Sequence, residues 1–209
     1  MPSFRQISTY GPALVIDAAS SLVQVGVIGP RDAARWESSA DEAGVAIFQC
    51  FERLAIAPQD FTTFIFCDGP GSVLGIRTAA MALRTWCVLK PRRVFAYCSL
   101  ALIARSLGRP NVAVIADARR DSWHHYQIGH GLRRLTVMEP ADELVMPENF
   151  RHWSNVPAGV RSVSYSLAEL IPRVADCDLL HETDAPDAFL HEEPTYVRWT
   201  PQIHRSPTT

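Results

Sequence analysis

A glycine-rich turn between an apolar strand and an apolar helix is the feature that most constrains the fold of this chain. Residues 68–77 form it, with the sequence Asp-Gly-Pro-Gly-Ser-Val-Leu-Gly-Ile-Arg. The apolar run at 64–67 predicts a strand before the turn, and the run at 76–89 predicts a helix after it. Glycine and proline favour a tight turn, and Ser72 is placed to cap the helix.

The other predicted elements alternate between strands and helices. Strands are predicted at 13–17, 22–28, 34–39, 61–67, 93–97, 112–116, 122–128 and 133–138, and helices at about 43–54 and 100–107. Residues 1–12 are predicted to be an irregular lead, and Asp41 or Ser39 is the expected cap of the helix at 43–54. This order predicts an α/β protein with a mixed sheet.

Two strand ends indicate that the chain consists of two related lobes. Asp17 and Asp117 each end an apolar strand that continues into a turn and a second strand. Gly108 is a helix C-terminal signal between the two halves. We therefore predict an N-terminal lobe at 1–108 and a smaller C-terminal lobe at 109–209.

The composition argues against several classes of protein. The chain has 209 residues, of which 47% are hydrophobic and 20% are charged, as in ordinary soluble proteins. The net charge of −2 creates no field that would attract nucleic acid or an anionic membrane. Lys90 is the only lysine, which argues against a P-loop or Schiff-base lysine. Five scattered cysteines without a C-x-x-C pair, and no long apolar run, predict a cytoplasmic protein without a membrane segment.

The glycine-rich turn does not match the common phosphate-binding loops. Gly69 and Gly75 are one residue too far apart for a Walker A loop, and Ile76 follows where a lysine belongs. The glycine spacing is also one residue longer than the dinucleotide fingerprint. Backbone N–H groups at a helix N-terminus could still hold an anion. The candidate residues for such a vestigial nucleotide or anion site are Asp17, Gly69, Gly71, Ser72 and Asp117.

The two strand-end aspartates leave two interpretations open. Such acids can hold a Mg²⁺–phosphate complex across a cleft, as in an ATP-hydrolysing or phosphoryl-transfer enzyme. The residue after the acid is then usually a hydroxyl or a glycine, whereas here it is Ala18 or Ala118. The alternative is that each acid caps its own turn. No metal site is predicted, because the adjacent His124 and His125 would point to opposite faces of a strand.

The helices predicted at 43–54 and 76–89 have wider apolar faces than a surface helix needs. Both are either core helices of a two-lobed protein or helices that also form a protein–protein interface. Arginine surrounded by apolar residues is frequent in such interfaces. The candidate partner-binding residues are Ile47, Phe51, Leu54, Ile76, Arg77, Ala80, Leu83 and Arg84.

Several segments resemble, in matching order, those of the bacterial TsaB (YeaZ) proteins. The segment at 68–77 is similar to the family's G-x-G-P-G-S-F-T-G-[LV]-R, which is the specific part of the resemblance. The individually weaker segments are 14–19, 95–104, 116–126 and 193–198, so the resemblance spans 14–198. They are similar to the family's L-x-I-D-T-[AS], G-V-S-[ST]-L-x-x-[LI]-A, D-A-R-x-x-E-V-Y and P-x-Y-[LV]-R. The usual threonine after the first aspartate is Ala18 here, a departure that weakens the case for nucleotide binding.

The resemblance implies the fold of the actin/Hsp70-like ATPases, with two ribonuclease-H-like lobes of mixed sheets flanked by helices. TsaB proteins are subunits of the machinery that makes threonylcarbamoyladenosine in tRNA. The resemblance implies a scaffold subunit that is neither an ATPase nor a protease. It implies that the subunit needs no cofactor, and binding of ATP, ADP or Mg²⁺ is the less favoured alternative. Its implied partners are a TsaD-like catalytic subunit, paired through the N-lobe helices, and a TsaE-like ATPase, with tRNA contacted only indirectly. The alternatives are a homodimeric paralogue outside the complex and a weak Mg²⁺-dependent ATP enzyme.

Overall fold

The computed structural model describes residues 1–30, 33–139, 141 and 143–190, which form two mixed sheets flanked by helices. The strands are β1 (Ala13–Asp17), β2 (Val23–Ile28), β3 (Arg35–Ser39), β4 (Thr63–Gly69), β5 (Arg93–Cys98), β6 (Val112–Asp117), β7 (Trp123–Gln127), β8 (Gly131–Leu135), β9 (Glu143–Pro147), β10 (Arg161–Val163) and β11 (His181–Glu182). The helices are α1 (Phe4–Ser8), α2 (Ala43–Leu54), α3 (Val73–Leu89), α4 (Ser99–Leu107) and α5 (Leu167–Arg173), with a 3₁₀ turn at Pro58–Asp60.

The two sheets share one strand arrangement. Sheet 1 has the order β11-β5-β4-β1-β2-β3, and sheet 2 has the order β10-β9-β6-β7-β8. In each sheet, three consecutive strands form an antiparallel meander, and the next two strands add in parallel on the other side of the first. The predicted α/β class with two lobes of mixed sheets is therefore confirmed. The boundary at 108 stays a prediction, since β11 lies in sheet 1 although it follows that boundary in the chain.

Helix α4 lies between the two sheets. It contacts β4 and β5 of sheet 1 as well as β6, β7 and β8 of sheet 2. Its residues from Ser99 to Ala104 are all buried, which explains their almost continuous apolar sequence. The helix ends before Gly108, whose φ of +64° favours glycine, as predicted from the sequence.

Two local predictions are wrong. Residues 1–12, predicted to be irregular, contain the short helix α1. The N-cap of α2 is Glu42 rather than Asp41 or Ser39. The Ser39 hydroxyl instead donates a hydrogen bond of 2.7 Å to the side chain of Gln49, within α2 itself.

The final third of the described chain contains elements that the sequence did not predict: β9, β10, α5 and β11. The family-like segment at 193–198 lies outside the described residues, as does the rest of 191–209. None of the described helices is both long enough and apolar enough to cross a membrane.

Candidate functional site

The glycine-rich turn packs directly against the turn that follows β1. β4 ends at Gly69, whose φ of +126° is a conformation that favours glycine. A Cβ atom on Gly71 would lie 2.4 Å from the carbonyl oxygen of Ala19, and one on Gly75 would lie 2.3 Å from that of Ala18. Both distances are far below van der Waals contact, so the close approach requires glycine at these positions. The glycines therefore allow the start of α3 to pack against the turn that follows β1.

Two backbone N–H groups at the start of α3 already have acceptors within the chain. The Ser72 N–H donates to the carbonyl oxygen of Ala19 at 2.7 Å, and the Gly75 N–H donates to the Ser72 hydroxyl at 3.3 Å. Ser72 is thus the N-cap of α3, as predicted, and the helix begins at Val73, earlier than predicted. Neither N–H group is available to an anion in this arrangement.

Asp17 is fully buried at the end of β1. Its Oδ2 accepts hydrogen bonds of 2.6 Å from the hydroxyls of both Tyr97 and Tyr165, and its Oδ1 accepts one of 2.8 Å from the Ala19 N–H. Burial raises the pKa of Asp17, although these hydrogen bonds act to lower it. A carboxyl enclosed in this way cannot contact Mg²⁺ or a phosphate. Its predicted place in a vestigial nucleotide site is wrong, and the turn-capping alternative is confirmed.

Asp117 has the equivalent position in sheet 2 but is only half-buried. Its Oδ1 accepts a hydrogen bond from the Arg119 N–H, and its Oδ2 accepts hydrogen bonds of 2.7 Å and 2.6 Å from the N–H groups of Trp153 and Ser154. Burial raises the pKa of Asp117, but the backbone hydrogen bonds outweigh burial and the pKa is lowered. Asp117 therefore also holds its own turn, with its charge compensated by backbone dipoles.

A cleft of about 530 Å³ opens between the glycine-rich turn and the β6–β7 turn. Among the predicted site residues, Gly71, Ser72 and Asp117 line this cleft, whereas Asp17 and Gly69 do not. A volume of this size is typical of small-molecule sites. The other basic or aromatic residues that line the cleft are Arg119, Arg120, His124, Arg134, Phe150, Arg151, Trp153 and Phe189.

The residues of the cleft do not fit a Mg²⁺–nucleotide complex. Neither strand-end aspartate presents a carboxylate oxygen without a hydrogen-bond donor of the protein. Within the described ranges, no three His, Cys, Asp or Glu residues are grouped as metal ligands. His124 lines the cleft, whereas His125 is fully buried on the opposite face of β7, as predicted for adjacent strand residues.

Sequence reasoning missed two sets of side chains at this site: the tyrosines that donate to Asp17 and the arginines that line the cleft. A tyrosine within the buried strand β5 is a usable signal, because the hydroxyl of a buried tyrosine needs a partner, and Tyr97 finds Asp17. The arginines of the cleft gave no such signal. Arg119 and Arg120 lie in a charged turn of ordinary appearance, and Arg151 lies in a separate loop.

Six of the eight predicted partner-binding residues lie in the core of the chain itself. Each of the six is at most 5% exposed: Ile47, Phe51, Leu54, Ile76, Ala80 and Leu83. Side chains buried to this degree cannot contact a partner, so their assignment as contact residues is wrong. Their wide apolar faces arise because α2 and α3 pack against strands of sheet 1 and also against each other.

The other two, Arg77 and Arg84, contact the segment that follows β11. Asp187 lies between them, with 3.4 Å to Arg77 Nε and 3.5 Å to Arg84 Nη2. The same segment is anchored to the glycine-rich turn, because the Phe189 N–H donates to the carbonyl oxygen of Asp68 at 2.7 Å. This charged side of α3 is therefore covered in part by the chain's own residues.

A different set of apolar side chains on α2 and α3 is exposed. We call it the α2–α3 face; it consists of Val45, Phe48, Leu74, Met81 and Val88, which are 53%, 54%, 79%, 60% and 85% exposed. The two helices adjoin here, because a Cβ atom on Gly44 of α2 would lie 3.9 Å from the methyl group of Thr78 on α3. Contiguous exposed apolar side chains of this kind commonly mark interaction surfaces.

Threonines complete the stripe of the α2–α3 face along α3. Three residues of the α2–α3 face belong to α3, and two threonines lie in line with them. The spacing along the helix alternates between four and three residues, as in a helix-packing seam: Leu74, Thr78, Met81, Thr85 and Val88. The threonine hydroxyls donate hydrogen bonds of 2.9 Å to the carbonyl oxygens of Leu74 and Met81. The polar atoms of the stripe are therefore satisfied within α3 and need no water.

The architecture, with a cleft between two lobes of equivalent strand order, defines a two-lobed α/β protein with the fold of the YeaZ proteins. YeaZ from Pseudomonas aeruginosa matches with a TM-score of 0.51 and 23% identity, over 66% of this chain and 76% of its own. The structure of an uncharacterized protein with similarity to peptidase YeaZ from Pseudomonas aeruginosa matches with a TM-score of 0.55 and 18% identity, over 90% of this chain and all of its own. No protein-family model and no curated protein matches the sequence. At sequence identities of 23% and 18%, the structural similarity establishes the fold alone.

Proposed function

We propose that this chain is a divergent member of the TsaB (YeaZ) family and a non-catalytic subunit in the synthesis of threonylcarbamoyladenosine in tRNA. Its partner would be a TsaD-like catalytic subunit in the cytoplasm, with a TsaE-like ATPase joining the pair and tRNA contacted indirectly. The shared fold supports this proposal. The ordered resemblance supports it further, since two of the resembling segments, 14–19 and 68–77, pack against each other through Ala18 and Ala19.

The α2–α3 face carries the part of the proposal that concerns pairing. Its five apolar side chains come from two adjacent helices of the N-terminal half, where the resemblance implies the interface. Burying them against a partner would remove apolar surface from water, which is the main favourable term in association. The residues that contact the partner are then those of the exposed face rather than the six buried ones predicted from the sequence.

The environment of the two aspartates supports a non-catalytic role. A Mg²⁺-dependent phosphoryl transfer needs carboxylate oxygens that can bind the cation. Asp17 is enclosed by two tyrosines, and Asp117 is held by backbone N–H groups. Neither strand-end aspartate therefore supports the alternative of an ATP-hydrolysing enzyme.

The test is co-purification with the TsaD-like protein of the same organism, followed by size-exclusion chromatography with light scattering. We expect a stable complex of the two chains. Phe48→Asp and Met81→Asp should each prevent it, because each places a charge in the centre of the apolar face. The matched control is Val137→Asp, which changes an equally apolar residue that is 78% exposed outside the face and should leave the complex intact.

Two results would overturn the proposal. One is a failure of the wild-type chain to co-elute with the TsaD-like protein at micromolar concentrations. The other is self-association through the same face with no binding of the TsaD-like protein, which would identify a homodimeric paralogue outside the complex. Circular dichroism of the Phe48→Asp, Met81→Asp and Val137→Asp variants shows whether they are folded.

A further inference from the structure

Two arginines border the α2–α3 face along one side of α3. Arg77 and Arg84 each directly precede a threonine of the stripe on this helix. If the stripe is written as positions a and d of a heptad, both arginines occupy position g, one heptad apart. Side chains at this position flank the stripe and contact a helix that packs on it. We call the two arginines the arginine rim.

The opposite side of the stripe is closed by α2. Phe51 of α2 packs on Trp86 of α3, with 5.4 Å between the ring centroids. Trp86 and Arg84 point about 160° apart around the helix, because they are two residues apart at 3.6 residues per turn. The stripe therefore has an apolar neighbouring helix on one side and a positively charged rim on the other.

The charge of the arginine rim is only partly neutralised within the chain. α3 itself contains no aspartate or glutamate. Among the residues that the structure describes, the carboxylate that contacts the rim is that of Asp187, at 3.4 Å from Arg77 and 3.5 Å from Arg84. One carboxylate between two guanidinium groups leaves a net positive charge beside the apolar stripe.

The contact with Asp187 is looser than other arginine–carboxylate pairs of the surface. Arg93 and Glu182, for comparison, form a two-pronged pair with distances of 2.8 Å and 2.9 Å. The side chains of Asp187 and of the two rim arginines are also 41–49% exposed. An exposed ion pair with long distances contributes little to stability, so another carboxylate can replace Asp187 at low cost.

We propose that the arginine rim selects the partner of the α2–α3 face, which is a helix with two carboxylates one heptad apart beside its own apolar stripe. This inference rests on the proposed function, in which a partner covers the face. The planar guanidinium group offers paired N–H donors that match the two oxygens of a carboxylate. Charges that flank an apolar helix interface determine which partner binds and in which orientation. Asp187 is then an internal competitor, which the carboxylates of the partner displace.

The arginine rim also disfavours a second copy of this chain as the occupant of the face. A second copy that packs through α3 brings no carboxylate from that helix. In an antiparallel pair of α3 helices, position g of one copy lies beside position g of the other, so the two rims would adjoin. Like charges placed side by side at an interface oppose association. The rim therefore favours a different protein over self-association.

Fluorescence anisotropy with two labelled helical peptides tests the proposal. Both peptides are about three heptads long with leucine along the apolar stripe, and they carry either glutamate or lysine at the two flanking positions. We expect the glutamate peptide to bind the wild-type chain saturably and at least about tenfold more tightly than the lysine peptide. Arg77→Gln and Arg84→Gln should each weaken binding of the glutamate peptide about two- to fivefold, as loss of an exposed ion pair does.

Asp187→Asn tests the competition directly. It removes the charge but keeps the side-chain oxygen that accepts the Ala188 N–H at 2.8 Å. The variant should bind the glutamate peptide about two- to fivefold more tightly than the wild type. Arg105→Gln is the matched control, because it removes a positive charge from an exposed position on α4 and should leave both affinities unchanged. Met81→Asp should prevent binding of the glutamate peptide, which would locate the peptide on the face.

Five results would overturn the inference. They are no saturable binding of the glutamate peptide, equal affinities for the two peptides, rim variants without effect, an Asp187→Asn variant that binds no more tightly than the wild type, and self-association through the face that the rim variants weaken. Thermal unfolding checks that all the variants are folded.

A parallel titration with the TsaD-like protein separates this inference from the proposed function. If that protein binds and the rim variants bind it as tightly as the wild type, the inference fails and the proposed function stands. If the glutamate peptide binds as expected and the TsaD-like protein does not bind, the proposed function fails and the selection of an acidic helix stands.

Discussion

The Tyr165 hydroxyl donates a hydrogen bond of 2.6 Å to Oδ2 of Asp17, and so joins the segment after β10 to the end of β1. A second link lies beside it. The Gln24 side chain donates to the carbonyl oxygen of Tyr165 at 2.9 Å and accepts from the Leu167 N–H at 2.8 Å. The two sheets are therefore connected by buried polar contacts as well as by apolar packing. Buried hydrogen bonds of this kind are costly to break without replacement.

The first prediction concerns this connection. Tyr165→Phe should lower the free energy of unfolding by about 1–3 kcal/mol, because it leaves the buried Asp17 carboxyl with one donor fewer. Urea unfolding followed by circular dichroism measures the change. Tyr10→Phe, at a position that is 73% exposed, is the matched control and should have no effect. Equal stabilities of the two variants would contradict the structural role of the Tyr165 hydroxyl.

The second prediction concerns the close contact of the two turns. Gly71→Ala should destabilise the chain by about 1–3 kcal/mol or more, because the new Cβ atom would overlap the backbone of Ala19. Gly44→Ala is the control, since its Cβ atom would meet only the Thr78 methyl group at an ordinary 3.9 Å. The control should be neutral or should stabilise α2 by up to about 1 kcal/mol. Thermal unfolding compares them, and a Gly71→Ala protein as stable as the control would refute the argument.

The third prediction separates the core of α3 from its exposed face. Leu83→Asp should cost about 4 kcal/mol or more of stability or prevent folding, because it buries an unpaired charge. Met81→Asp, two residues earlier and 60% exposed, should change stability by only about 0.5 kcal/mol. Chemical unfolding of both variants makes the comparison. If Leu83→Asp were harmless, the assignment of that side chain to the core would be wrong.

The fourth prediction concerns pH. His181 Nε2 lies 3.2 Å from Asp68 Oδ2, and this hydrogen bond raises the pKa of His181 although partial burial lowers it. Because the folded-state pKa lies above the unfolded value of about 6.5, the stabilisation is fully present below pH 6.5 and is lost as the pH rises through the folded-state pKa. The stability difference between wild type and His181→Gln should therefore shrink with rising pH. A difference that stayed constant from about pH 5.5, one unit below the unfolded-state pKa, into the alkaline range would contradict the ion pair.

The first half of the fold was largely predictable because its signals are local. β1, α2 and α4 follow from apolar periodicity, and Gly108 marks the end of α4. The short strands of the second half have no comparable pattern: β10 has three residues and β11 has two. Such strands form because a neighbouring strand pairs with them, which the local sequence does not encode.

The candidate site was less predictable because its contacts are distant in the chain. Whether Asp17 binds a cation or holds a turn is decided by Tyr165, 148 residues later. The width of the apolar faces of α2 and α3 likewise could not distinguish core packing from an interface. The structure shows two separate sets of apolar residues on these helices, one buried and one exposed.

The pairing of β11 with β5 has a consequence for synthesis of the protein. The outer edge of sheet 1 is completed by His181 and Glu182, which pair with Ala96 and Phe95. A nascent chain that has not yet reached these residues presents the backbone of β5 as an open edge, the kind that pairs with other chains. Most of the N-terminal lobe is translated long before this edge is closed. The ribosome-bound intermediate is therefore the species most exposed to misassembly, and its lifetime is set by the rate of elongation through the second half of the message.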